Sequence, residues 1–524
     1  MSPHAALRDG SRAVFKRIEN FLDACFGPAD NPLRHLGAMG LYFLWILSAT
    51  GLYLYIVIDT SIEGVYSSIG HLSNEQWYFG GILRSLHRYA TDAFIIVTFL
   101  HILREWAYDR YSGFRLFSWM TGIPLVWLLY MSAIGGYWIV WDRLAQFSAL
   151  ATAELFDWLA IATEPAARNF LVPEAVSDRF FTFLVYIHIG FPLFLILGAW
   201  AHVNRISGVD HMPAKRLAWG TFLTLLVLSL AIPAHSDAQA DLMQVPLDTR
   251  IDWLALFLNP LMYETSAGTV WALVFGFTLL LIALPLLPRG TRPAVAKVDA
   301  PNCNGCRRCY MDCPYAAVTM APHPDKPKHQ IAVVDADNCA ACGICVGACP
   351  SSTPFRSGEA LVTGIDMPQQ PINALRQELE QRLAALAGRT KIVVFGCASG
   401  ADVAALESAD TAAFTRICSG MLPPSFVEYA LRGGADGVLV TGCREGGCPF
   451  RFGDAWTAAR LARSREPHLR VQVPAGRLRE YRADPADAAA LAAALAEFRT
   501  DLETATGDDS RLVPYHRRTI HHVH

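Results

Sequence analysis

Residues 82–104 read ILRSLHRYATDAFIIVTFLHILR, and two features of this stretch decide what the first half of the chain is. It is long and apolar enough to cross a bilayer, which takes roughly 20 residues of helix. It also carries two histidines, His87 and His101, fourteen positions apart. Fourteen residues are just under four helical turns, so both imidazoles share one face, about 21 Å apart along the axis. A second apolar stretch, near 180–203, repeats the arrangement with His188 and His202, again fourteen apart. Polar groups in lipid are costly and are retained mostly for function. Buried polar residues with local partners are the competing reading, and the doubled spacing argues against it.

Around these two stretches, six runs are long enough to span a membrane: 36–58, 81–103, 118–140, 180–203, 217–235 and 268–288. Basic residues cluster in alternate connections and set the orientation. Arg17 and Arg34 precede the first span, and Arg104, Arg110 and Arg115 follow the second. Arg205, Lys215 and Arg216 follow the fourth, and Arg289, Arg292 and Lys297 follow the sixth. The opposite loops hold Glu154, Asp157, Glu164, Glu174 and Asp178, then Asp237, Asp241, Asp248 and Asp252. Both termini, and everything after Leu287, are therefore expected on the cytoplasmic side of a prokaryotic inner membrane. The first 34 residues show no cleavable signal, and Ser11–Phe26 suits a short amphipathic helix on the membrane surface.

Spans two and four run the same way, so His87 shares a depth with His188, and His101 with His202. Each level offers two imidazoles to one iron, which predicts two b haems, one above the other. Gly37 and Gly51 in span one, and Gly122 and Gly136 in span three, are also fourteen apart. A missing side chain lets a flat macrocycle approach the backbone, although helix packing also favours glycine.

With these residues in view, positions 31–290 resemble cytochrome b of the quinol-oxidising bc-type complexes; Trp141–Arg143 (WDR) after span three adds to the likeness. The resemblance implies bis-histidine haems pairing His87 with His188 and His101 with His202. It also implies haem propionates paired with Arg84 and Arg104, quinone as substrate, and a homodimer formed through this domain. That family oxidises quinol beside a Pro-Glu-Trp-aromatic motif. Here the corresponding loop is DTRIDWLALF, with Asp252 and Trp253 in place but Ile251 and Leu254 departing from the pattern. Asp252 is either the proton-exchanging acid of an outer quinone site or an exposed loop carboxylate. An inner site around Arg34, His35, Asn204 and Arg205 is the alternative location.

Beyond the spans the composition turns ordinary. Twelve of the thirteen cysteines lie from Cys303 onward, and Cys25 alone stands apart as an inert thiol. Residues 303–313 and 339–349 each read Cys-x-x-Cys-x-x-Cys-x-x-x-Cys-Pro, the two-cluster run whose fourth cysteine serves the other cluster. One [4Fe–4S] cluster should use Cys303, Cys306, Cys309 and Cys349, and the second Cys339, Cys342, Cys345 and Cys313. Zinc is the alternative for paired Cys-x-x-Cys runs, and the doubled spacing with proline disfavours it.

From about residue 390 the pattern is α/β, with KIVVF and GVLVTGC as buried strands and PPSFVEYALRGG as a helix. Cys397, Cys418, Cys443 and Cys448 fall where elements end and could hold one [2Fe–2S] cluster; zinc or uncommitted thiols are the alternatives. FGC, CSGMLPPSFVEYALRGGADGVLVTGCREGGC and RFGD make residues 390–500 resemble the small iron–sulfur subunit linking methanogen hydrogenase to the flavin subunit of heterodisulfide reductase. A further cysteine common in that family is replaced here by Gly400. The resemblance implies electron exchange with a soluble flavin and iron–sulfur complex of heterodisulfide-reductase type. After Asp454 no chemistry stands out; an Ala-rich surface helix is expected around 485–497, and the terminal His521, His522 and His524 read as a tail.

The expected architecture is multidomain. A cytoplasmic segment (1–35) precedes an all-α six-helix membrane bundle (36–290), a small α+β ferredoxin-like domain (296–358), an α/β domain with a short parallel sheet (390–500) and a tail (501–524). A net charge of −3 over 524 residues excludes a nucleic-acid binder. The carriers in order predict an oxidoreductase subunit moving electrons between membrane quinone and a soluble complex. Rival readings are a membrane anchor acting as redox sensor, or an anchor for a hydrogenase or formate dehydrogenase.

Overall fold

The computed structural model describes residues 3–161, 164–170, 176–204, 209–246, 249–287, 294–356, 358, 360–445 and 447–504. Of the positions named above, Glu174, Arg205, Asp248, Arg289, Arg292, His521, His522 and His524 lie outside the described residues. The chain divides into two compact units, Met1–Arg205 with Val209–Pro288, and Ile206–Gly208 with Arg289–His524.

The first unit is helical: α1 (Pro3–Phe26), α2 (Leu36–Val57), α3 (Val65–Asn74), α4 (Ile82–Ala107), α5 (Leu116–Val140), α6 (Arg143–Asp157), α7 (Asp178–Asn204), α8 (Lys215–Ala231), α9 (Leu258–Glu264) and α10 (Ala267–Ala283). A helix stands at each of the six expected span positions. Among the described residues, four helical stretches are long and apolar enough to cross a membrane by themselves: Pro32–Val57, Gly113–Val140, Asp178–Asn204 and Ala267–Leu286. In α4, Arg88, Asp92 and the two histidines dilute the apolar character, and α8 is only 17 residues long. Helices α2 and α7 turn Trp45, Leu52, Ile56, Leu193, Phe194, Leu197 and Trp200 outward. So much exposed apolar surface is untenable in water and natural in lipid. The segment is an integral membrane domain.

Two helix pairs organise this unit, α2 against α4 and α5 against α7. Helix α1 begins well before Ser11 and is tied to the bundle by buried ion pairs. Arg104 meets Glu19 at 2.8 Å and Arg34 meets Asp23 at 2.6 Å.

The second unit opens with two antiparallel pairs, β1 (Lys297–Val298) with β4 (Ile365–Asp366) and β2 (Val318–Pro322) with β3 (Gln330–Val334). Short helices α11 (Arg308–Asp312) and α12 (Ile344–Ala348) follow the cysteine loops, and α13 (Ile372–Ala385) leads onward. A parallel sheet then forms from β5 (Ile392–Cys397), β6 (Thr411–Arg416), β7 (Gly437–Gly442) and β8 (Leu478–Arg482), in the order β6-β5-β7-β8. Its helices are α14 (Ser425–Arg432), α15 (Gly453–Leu461) and α16 (Ala488–Thr504). Strands β5 and β7 are buried throughout and read as unbroken apolar runs. The edge strand β8, LREYR, is polar and only partly buried, so it carries no such signal. Helix α16 is not merely a surface helix, because Leu491, Ala494, Leu495 and Phe498 are buried along one face.

Candidate redox centres

In the first unit the rings of His87 and His188 approach edge-on, with centroids 6.3 Å apart and planes inclined at 67°. At metal–nitrogen bonds of about 2 Å, a separation near this value would let the two imidazoles hold one iron between them. His101 and His202 are also close enough to feel each other's charge.

The glycine pairs have a specific partner. A Cβ on Gly51 would lie 3.1 Å from His87 Cε1, and one on Gly136 2.9 Å from His188 Cε1. On Gly122 it would lie 3.2 Å from His202 Cε1, and on Gly37 3.6 Å from His101 Cε1. The glycines thus make room for the imidazoles. The shared spacing of fourteen follows, because each histidine helix runs beside its glycine helix.

Hydrogen bonds orient the rings. His188 Nδ1 meets the carbonyl of Ser132 at 2.9 Å; a carbonyl only accepts, so Nδ1 carries the proton. His87 Nδ1 lies 2.9 Å from Thr50 Oγ1, whose own hydrogen is given to Ile46 O at 2.7 Å. His202 Nδ1 lies 3.2 Å from Thr121 Oγ1, which donates to Phe117 O at 2.8 Å. All three rings therefore keep the Nε2 lone pair for a metal, as second-shell bonding to haem or metal ligands requires. The donor set fits haem b.

The charged residues behave differently from expectation. Arg84 donates to Ser73 Oγ at 2.6 Å and Ser236 Oγ at 2.8 Å, two neutral partners compatible with an anionic propionate nearby. Arg104 is already paired with Glu19 and lies over the Tyr108 ring at 4.7 Å. Asp252 is not an exposed loop acid: its side chain is 7% exposed. One oxygen accepts from Arg88 and Tyr137, and the other from the backbone N–H groups of Leu254 at 2.8 Å and Ala255 at 3.0 Å. Arg88 also reaches Asp92 at 2.5 Å. Trp253 points away, 70% exposed, so the two residues do not converge. Arg88, adjacent to His87, was missed in the sequence because one arginine beside a histidine carries no pattern. At the inner alternative location, Arg34 is engaged by Asp23, and His35 Nε2 lies 2.8 Å from Ala29 O.

In the second unit the thiols of the two cysteine runs influence one another's ionisation. Burial, reinforced by Cys349, Cys306 and Cys303, pushes the Cys309 thiol up to about 12. Burial likewise pushes Cys342 up to about 12, with Cys313 and Cys339 adding to it, while Cys345 is raised well above the usual thiol range beside the same residues. Crowded, buried thiols resist ionisation; cationic iron removes that penalty, so the donors fit iron–sulfur clusters.

The last four cysteines form a closed ring of neighbours. Cys397 touches Cys418 and Cys443, and Cys448 touches the same two; Cys397 and Cys443 sulfurs are 3.9 Å apart. Hydrogen bonds from Cys418 and Cys443 draw Cys397 and Cys448 down, and push the two donors up in the same exchange. Four soft donors, half of them already tending to thiolate, suit a metal centre. Cys397 ends β5 and Cys443 follows β7, at the point where the strand order reverses and α/β sheets hold their ligands. Gly453 is indispensable here: a Cβ would lie 2.0 Å from Cys418 Sγ. Gly400 stands outside the ring, its N–H bonded to Cys397 O at 3.0 Å.

Comparisons with known proteins agree with this division. Residues 30–209 match the cytochrome b/b6/petB family, residues 302–353 the 4Fe-4S dicluster domain, and residues 392–505 the methyl-viologen-reducing hydrogenase delta subunit. Cytochrome b of Acanthamoeba castellanii is 26% identical over 180 residues, 34% of this chain and 46% of that protein. Cytochrome b of Cyanidium caldarium is 25% identical over 220 residues, 38% of this chain and 56% of that one. The chain thus spans about half the length of these curated relatives. A hyperthermophilic respiratory Complex III chain superposes with a TM-score of 0.40 at 18% identity, covering 49% of this chain and 75% of the other.

Proposed function

We propose that this chain, with its cytochrome b/b6 domain, 4Fe-4S dicluster domain and hydrogenase delta-subunit domain, is the membrane electron-transfer subunit of a larger redox complex. It passes electrons between the quinone pool and a cytoplasmic flavin and iron–sulfur complex of the heterodisulfide-reductase type. The observation that supports this reading is the approach of His87 to His188, ring centroids 6.3 Å apart, on helices that each carry a second histidine fourteen residues on, together with twelve cysteines in the second unit, of which Cys397 and Cys443 have sulfurs 3.9 Å apart. Haems and clusters, when bound, take up and release single electrons. The chain's own residues do the rest. Thr50, Ser132 and Thr121 fix the imidazole tautomers. Burial shields the cysteine quartets, and the basic loops hold both termini and the iron–sulfur domains on the cytoplasmic side. Substrate chemistry belongs to partner subunits, and the membrane domain forms a homodimer.

Quinone reacts at the outer face, beside the His87 level. Asp252 is held ready there by Arg88 and Tyr137, and by exchanging one of these partners it takes a proton from quinol on oxidation or passes one to quinone on reduction. The test is a count on the purified chain. The reading requires two b haems, two [4Fe–4S] clusters and one [2Fe–2S] cluster, all reduced or oxidised by added quinol or quinone in the steady state. One haem or none would refute the membrane half. Stoichiometric zinc without iron in the last domain would refute the third cluster. Haems that titrate with quinone while the clusters stay inert would favour a sensor.

A further inference from the structure

Arg460 lies in the segment without a motif, yet it is among the largest fully buried side chains of the chain. Its guanidinium reaches three cysteine-bearing loops at once. One amino group donates to Gly420 O, two residues past Cys418, at 2.8 Å. The other donates to Asp312 Oδ2 at 2.5 Å, next to Cys313, and to Ile344 O at 3.4 Å, between Cys342 and Cys345. Arg465 Nε donates to the second Asp312 oxygen at 3.1 Å from the rim.

These loops meet at backbone distance. A Cβ on Gly347 would lie 2.2 Å from Gly420 O and 2.6 Å from Arg460 Nη1, and one on Gly420 2.9 Å from Gly453 Cα. Cys342, Cys418 and Cys448 share one buried cluster with Ile344.

We propose that Arg460 is a positioning residue between the Cys313/Cys339/Cys342/Cys345 centre and the Cys397/Cys418/Cys443/Cys448 centre, setting the potentials at which they exchange electrons, with Asp312 as its counter-charge. The proposal rests on the reading that both quartets hold clusters. An electron arriving at either centre adds negative charge in a poorly polarisable interior, where a fixed cation stabilises it strongly. Net charge and hydrogen bonding near the sulfurs are what set cluster potentials. Removing the cation should lower both potentials, and removing the anion should raise them. A part that only holds the loops together has no reason to act with opposite signs.

The test is a redox titration of the full chain, followed by electron paramagnetic resonance, for wild type, Arg460→Met, Arg460→Lys and Asp312→Asn. Arg460→Met should shift both centres to lower potential, and Asp312→Asn should shift both higher, the Cys313 centre most. Arg460→Lys should stay near wild type, and the Cys303 centre should hold still in all three. Unchanged potentials in Arg460→Met with full iron content would overturn the proposal, as would shifts of one sign in both charge variants. If Arg460→Met loses iron, Asp312→Asn and Arg460→Lys decide alone. Zinc in the third site of the wild-type chain would refute the reading beneath the proposal, and metal analysis detects it before any variant is made.

Discussion

The two units hold their proposed redox ligands by opposite means. In the membrane unit each ligand sits inside a long helix, and the depth of a centre follows from helix register. The partner helix contributes one absent side chain to each and, for His87, His188 and His202, one hydroxyl or carbonyl. In the second unit the ligands sit in loops where short elements end. They are held by close backbone approaches at Gly347, Gly420 and Gly453 and by one buried ion pair. Helices give regular spacing without needing tertiary partners; loops become regular only once something outside them is packed against them.

The sharpest way to break this comparison is to fill a gap in the second unit. Gly453→Ala should abolish the third centre, since its Cβ would overlap Cys418 Sγ, while both [4Fe–4S] signals survive. The strain is of the order of 1–3 kcal/mol or more for an added methyl that cannot be accommodated. Iron analysis with paramagnetic resonance reads the outcome, and an intact third signal would show that the loops yield more easily than their packing suggests.

His101→Ala should remove one haem of two and leave the His87–His188 level filled, because the levels are held by independent contacts. A haemochrome assay and a low-temperature spectrum measure it. Loss of both haems would mean that the helix register is not the local property assumed here.

Asp252→Asn keeps the shape but removes the charge facing Arg88. Haem content should stay at wild-type level while quinone turnover slows by about a hundredfold, the low end of what a positioned acid–base group contributes. With quinone reacting outside, each charge crossing to the cytoplasmic clusters couples to the membrane potential by about 2.3 kcal/mol per 100 mV. Turnover in sealed vesicles should therefore respond to an uncoupler. Normal turnover in the variant with no uncoupler response would move the quinone to the inner side.

The smallest effect belongs to Thr50→Val, which deletes the acceptor for His87 Nδ1. A modest change in the potential of one haem is expected, with at most the 10–100-fold weakening of binding typical of a lost second-shell partner. A redox titration that finds both haems unchanged would show that ring orientation is fixed by Gly51 packing alone.

Much of the molecule was legible from the chain because its chemistry is periodic or contiguous. Fourteen-residue spacing places His87 and His101 on one helical face whatever surrounds them, and a Cys-x-x-Cys run brings its thiols together by covalent proximity alone. The apolar runs of β5 and β7 announce burial on both sides for the same local reason. Other features depend on residues far apart in sequence and left no local trace. Arg460 meets Asp312 across 148 positions, Arg88 meets Asp252 across 164, and Glu19 meets Arg104 across 85. A single charged side chain has no periodicity, and its partner is chosen only when the folded chain brings opposite charges into one dry place. The sequence by itself determined which atoms can hold iron. Only the tertiary structure decided which charges stand beside them, because charge pairing acts through space and not along the chain.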